Sequence, residues 1–265
     1  MDWLPQINAD KILLFVLVLT RVSGLAMTAP IFGTRDIPTQ VRVLLSVALA
    51  LLVLPSQWHT PVSDADNIAG YTVLVGGELV VGLCLGLGVV ILFSGAQLAG
   101  ELVANVAGLS AAEVLDPTTE AGVPVFSRLT HLVTMATFVC IGGHRIVMAG
   151  LLDTYQVLPP GGVSWCPSLG EAFVTLVGQS CELAIRAAAP VLTALLLSTL
   201  VLGLIGRTLP QLNVMILGFN LNSMLTFAVM SITLGSAAWL FQDHVAPTLQ
   251  LLIETLRYGH VATSG

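Results

Sequence analysis

Apolar residues arrive in long unbroken blocks separated by short polar connections. Six blocks stand out: about 11–32, 41–54, 70–109, 125–152, 169–206 and 211–241. A last segment, Val245 to Tyr258, carries the weaker pattern of an amphipathic helix. Blocks of this length predict membrane-embedded helices, not the stripes of a soluble core. The connections carry turn chemistry: Gly33-Thr34-Arg35-Asp36-Ile37-Pro38, the acidic stretch Ser56 to Asn67, Pro159-Pro160-Gly161-Gly162, and Arg207-Thr208-Leu209-Pro210. No repeat interrupts the pattern, so residues 1–265 are expected to form a single domain. The predicted class is all-α: a polytopic helical membrane protein of long bent helices and helical hairpins.

The block lengths do not describe six standard spans. As one helix, the third block would be roughly 58 Å long at about 1.5 Å per residue. The hydrocarbon layer is only about 30 Å thick. The fifth block is also too long and the second is short. Such lengths predict bends, hairpins, or helices wrapped by other protein.

Polar positions inside the blocks sharpen this. Glu78, Gly82 and Gly86 fall four apart, and so do Gln97, Glu101 and Asn105. Residues four apart share a helix face. The third helix is therefore expected to offer a small or polar stripe to another helix, with its carboxylates turned to protein or water. Glu182 and Arg186 have the spacing of an intrahelical ion pair, just before Pro190. Arg21 lies mid-block, where a lone charge is costly, so a partner carboxylate in the same bundle is expected. Asn213, Asn220, Asn222 and Ser223 are expected to bond helix to helix.

Composition agrees. Of the 265 residues 55% are hydrophobic and 9% are charged, far below the roughly 25% of an ordinary soluble domain. The net charge of -6 offers no basic surface to nucleic acid. The acidic start, with Asp2 and Asp10, does not read as a cleaved signal, so the first block is expected to be retained. Arg35 and Arg42 place the 33–42 loop on the cytoplasmic side by the positive-inside rule.

No enzyme is expected. There is no metalloprotease, P-loop or nucleophile-elbow motif. His59, His131, His144, His244 and His260 are scattered, and Cys84, Cys140, Cys166 and Cys181 form no C-x-x-C pair, so no catalytic residue, cofactor or metal is assigned. Gly108-Leu109-Ser110-Ala111 has a loose likeness to an intramembrane serine protease motif. Four residues without an oriented base carry no chemistry.

An ordered set of landmarks resembles one family. Arg21-Val22-Ser23-Gly24 and Ala29-Pro30-Ile31-Phe32-Gly33 open it, followed by Ile37-Pro38 and Val41-Arg42. Glu78, Gly82 and Gly86 come next, then Ala99-Gly100, Gly108-Leu109-Ser110, Asp116-Pro117 and Gly143-His144. The most specific stretch is Arg207-Thr208-Leu209-Pro210-Gln211-Leu212-Asn213-Val214. Across essentially the whole chain these residues resemble the FliR family of the bacterial type III export gate.

The resemblance implies a channel part in a multi-subunit gate of the bacterial inner membrane, at the flagellar basal body. FliP and FliQ would be its partners, FlhB would associate with it, and unfolded secreted proteins would be its cargo. It implies a plug-like loop at about 106–123, with Leu109, Ala111, Val114 and Leu115 as the channel plug. Ala111 and Val114 stand where relatives often carry aromatics; Leu109 and Leu115 would supply apolar contact instead. Inter-subunit polar contacts are expected at Glu78, Gln97, Glu101, Asn105, Arg207, Gln211 and Asn213. Two alternatives stay open: an injectisome counterpart, or an ion-coupled transporter using Glu78, Glu101 and Arg186.

Overall fold

The computed structural model describes residues 9–30, 33, 37–58, 60, 68–109, 125–162, 168–209, 211 and 214–264. Among these there are seven α-helices and no strand: α1 (Ala9–Thr28), α2 (Thr39–Val53), α3 (Ile68–Val106), α4 (Val125–Cys140), α5 (Gly143–Val157), α6 (Ser168–Thr208) and α7 (Val214–Ser264). A 3-10 turn, Leu54–Gln57, follows α2. Five helical segments are long and apolar enough to cross a membrane, or six if the α4–α5 pair counts as one span. The molecule is an all-α polytopic membrane protein.

Helix is the physical answer to this sequence, because lipid offers no partner for backbone polar groups and a helix satisfies its own. Hydroxyls follow the same rule. Thr20, Ser46, Thr134 and Thr137 each donate to the carbonyl four residues earlier.

Three boundaries differ from the sequence expectation. The fourth block, about 125–152, is two helices, α4 and α5, broken between Cys140 and Gly143. Gly142 makes the break by adopting a left-handed backbone, φ 73°, that other residues resist. The second block gains its 3-10 turn, so Thr39–Gln57 reaches 19 residues and is long enough to span. The sixth block and the amphipathic tail are one helix that runs through Pro247, as α6 runs through Pro190.

The chain divides into two compact units. Unit 1 holds residues 1–91, 142–176 and 245–265, and unit 2 holds 92–141 and 177–244. In unit 1, α1 and α2 pack together, and Val81, Leu158 and Leu256 form a shared core. In unit 2 the core is rich in small residues, with Ala99, Ala104, Ala184 and Ala188 beside Phe126, Leu195 and Met230. Phe93, Phe138 and Phe241 meet edge to face, 5.2–6.5 Å between ring centres. A small apolar cavity of about 40 Å³ lies against this core, between Ala96, Ala188 and Phe241.

Candidate functional site

The densest polar arrangement lies in unit 1, where lipid-compatible helices bury two opposite charges. Arg21 of α1 and Glu78 of α3 both have fully buried side chains. Arg21 Nε donates to Glu78 Oε2 at 2.5 Å. Arg21 Nη1 donates to the Thr154 hydroxyl at 3.3 Å and to the Leu158 carbonyl at 3.0 Å. The guanidinium carbon also lies 4.3 Å from the centre of the Tyr155 ring, a cation–π contact, while the Tyr155 hydroxyl donates to the Val18 carbonyl. The other carboxylate oxygen, Glu78 Oε1, accepts from the Gly161 N–H at 2.8 Å. Among the described residues, only Arg21 Nη2 is buried without an acceptor.

Local sequence makes this possible. Pro159-Pro160-Gly161-Gly162 folds into a turn closed by Gly162 N–H to the Pro159 carbonyl. Proline at the second position and a left-handed glycine at the third, φ 85°, are what a type II turn requires. That turn aims the Gly161 N–H at Glu78. The pair thus ties α1, α3 and the end of α5 into one knot.

Glycines let the helices come close enough. A side chain at Gly82 would overlap the Arg21 carbonyl oxygen, and one at Gly86 would overlap the Thr28 hydroxyl. Across the crossing, a Cβ on Gly24 would sit 2.8 Å from the Leu79 carbonyl oxygen. The small stripe expected on the third helix is therefore occupied by α1 of the same chain.

The second half of α3 lies in unit 2. Gln97 Nε2 is 2.9 Å from His131 Nδ1, and the Ser127 hydroxyl donates to the Gln97 carbonyl. A Cβ on Gly100 would come within 2.6 Å of Ser127, so α3 and α4 touch backbone to backbone there. Ser198 donates to Asn222, joining α6 to α7. Glu182 and Arg186 pair at 2.5 Å on an exposed face of α6.

The expected contact residues separate accordingly. Glu78 is taken up inside its own chain, and Gln97 bonds His131. Glu101 is half-buried, and Asn105, Arg207 and Gln211 are exposed. Among the described residues, none of these four side chains has a partner. Asn213, Ala111, Val114 and Leu115 lie outside the described residues. Leu109 stands at the root of the expected plug loop. There α3 closes in a Schellman motif: Leu109 N–H bonds the Ala104 carbonyl, Gly108 N–H bonds the Asn105 carbonyl, and Gly108 is left-handed at φ 79°. Leu109 packs onto the core around Ala104.

Thr154, Tyr155, Leu158 and Gly161 complete the Arg21–Glu78 knot, and sequence reasoning missed all four. The Pro-Pro-Gly-Gly stretch was a usable signal for Gly161, because a fixed left-handed N–H has to meet some acceptor. Gly24, three residues after Arg21, was a usable signal for the close crossing. For Thr154 and Tyr155 nothing in the pattern set them apart. Chemically, the knot can hold helices in register; among the described residues no group of three potential metal ligands comes together.

Comparison with known proteins agrees with these landmarks. Residues 12–247 match the family described as bacterial export proteins, family 1. The chain is 30% identical over 248 residues to the flagellar biosynthetic protein FliR of Bacillus subtilis (strain 168), covering 92% of this chain and 93% of that protein. It is 29% identical over 234 residues to FliR of Escherichia coli (strain K12), covering 87% and 85%. With FliR of Pectobacterium carotovorum it shares 31% over 219 residues, covering 81% and 80%. With most of its length matched, and with the helical membrane architecture above, the chain belongs to the FliR family of bacterial flagellar export proteins.

Proposed function

We propose that this chain is a non-enzymatic core subunit of the flagellar type III export gate in the bacterial inner membrane, at the basal body. With FliP and FliQ it forms the channel that passes unfolded flagellar proteins, and FlhB associates with the assembly. The observation that carries the proposal is a mismatch between what the chain buries and what it exposes. Glu101, Asn105, Arg207 and Gln211 lack partners among the described residues, although they interrupt or border membrane helices. Polar side chains in such positions are costly unless other helices receive them. In the same unit, α6 and α7 expose Leu196, Leu197, Leu200, Phe219, Met224 and Phe227. Partner helices with matching polar groups suit that surface better than lipid alone.

The flagellar assignment is favoured over the injectisome because the relatives named above are flagellar. A transporter reading is disfavoured by how its charges are used. Glu78 is engaged by Arg21 and Gly161, and Arg186 by Glu182.

Glu101→Leu tests the contact directly. It should reduce the FliP and FliQ that co-purify with the chain by about fivefold, the worth of roughly 1 kcal/mol from one interhelical hydrogen bond. Unchanged co-purification removes Glu101 from the interface.

The loop of about 106–123 serves in this proposal as the plug of the closed channel. Support comes from the family resemblance, from its apolar residues, and from Gly108, which turns the chain sharply out of α3. Ala111→Asp or Val114→Asp should make the closed gate leak small ions. Unchanged conductance with unchanged assembly would remove the plug assignment.

A further inference from the structure

The α1–α2 hairpin leaves an apolar groove that neither helix fills. Ile12 and Phe15 of α1, Leu51 of α2 and Leu54 of the 3-10 turn line about 220 Å³, and Lys11 and Trp58 complete the lining. Lys11 is the chain's only lysine. Its ammonium donates to the Trp58 carbonyl and lies 5.0 Å from the centre of the Trp58 ring. Among the described residues no carboxylate pairs with it, and nothing accepts from the Trp58 indole N–H. Lysine and tryptophan together are the side chains that settle at a membrane's polar boundary, with apolar stems inside and polar tips outside.

From this charge complementarity we infer that the groove seats one acyl chain of an anionic glycerophospholipid. Its phosphate oxygens accept from the Lys11 ammonium and the Trp58 indole N–H. Selectivity comes from the headgroup and not from the chain. An acyl tail leaves hydrocarbon as apolar as the groove it enters, so its transfer gains little. One ion pair between the Lys11 ammonium and the lipid's anionic headgroup favours the charged lipid by up to about fivefold, the equivalent of about 1 kcal/mol. A leucine or phenylalanine from a neighbouring protein is the competing occupant. It would fill the apolar slot and leave the ammonium without an anion.

Photo-crosslinking in native membranes separates the two. The full chain, expressed with its export-gate partners, carries p-benzoylphenylalanine in place of Leu51. After irradiation, the mass of the adduct identifies the occupant. The expected adduct is a phospholipid whose anionic share exceeds that of the bulk membrane about fivefold. Lys11→Gln should return that share to the bulk value, and Lys11→Arg should keep it. If Lys11→Gln does not accumulate, the ratio in the parent chain and in Lys11→Arg decides. A polypeptide adduct at Leu51 would overturn the inference. So would a headgroup ratio equal to the bulk, or the absence of lipid adducts there while the same probe at the exposed Ile232 yields them.

Discussion

Glu78→Leu is expected to strip the chain from the membrane fraction almost completely. Glu78 is the only counter-charge that Arg21 meets among the described residues, and both side chains are fully buried. Removing one member leaves the other as an uncompensated buried charge, a cost on the order of 3–5 kcal/mol. That approaches the whole stability of a typical domain, about 5–15 kcal/mol. Arg21→Leu should behave alike. It orphans Glu78 and also frees the Leu158 carbonyl and the Thr154 hydroxyl from their donor. The double variant Arg21→Leu with Glu78→Leu should recover much of the loss. Replacing a buried pair by apolar groups is often near neutral, although the Gly161 N–H would remain without its acceptor. Steady-state amounts in isolated membranes and the thermal stability of the purified assembly check this. Single variants that accumulate normally would show that the knot does not hold the fold.

Gly82→Val is expected to be the next most damaging change. Its side chain would enter the space of the Arg21 backbone, whose carbonyl carbon lies 3.0 Å from the Cβ position. Backbone cannot swing aside as a side-chain tip can, so α1 and α3 must separate. Their separation pulls Arg21 from Glu78, and the loss compounds the overpacking cost of about 1–3 kcal/mol. Position on the helix supplies a control. Gly76 and Gly178 have open space around their Cβ positions. Gly→Ala there should be neutral or stabilising, by up to about 1 kcal/mol, because alanine favours the helix. Equal effects at Gly82 and Gly76 would show that close approach is not the reason for the glycine.

These two residues show what sequence could and could not convey. The helical class followed from block length alone, and Glu78-x-x-x-Gly82-x-x-x-Gly86 marked a helix face built for close contact. The pattern did not say which helix would occupy that face, because a glycine stripe suits a neighbour in the same chain or in another one. Arg21 was correctly expected to find a carboxylate within its bundle, but 57 residues separate it from Glu78, and no local rule selects that partner. The Glu182–Arg186 pair was readable because both members sit on one helix. The break at Gly142 was missed because the apolar pattern resumes at Ile146, directly after the glycine pair and His144-Arg145, so the block reads as continuous. Gly142-Gly143, followed by the polar His144-Arg145, was the sign that a left-handed residue divides it.

As a proposed export-gate subunit, the chain should be completed by partner helices. The most direct measurement expresses it with a neutral affinity tag, alone and together with FliP and FliQ, and determines the mass of what is recovered. Aggregated or degraded material is expected from the chain alone, and one defined assembly containing all three proteins when they are made together. A stable, monodisperse monomer that binds a small solute and ignores FliP and FliQ would contradict it.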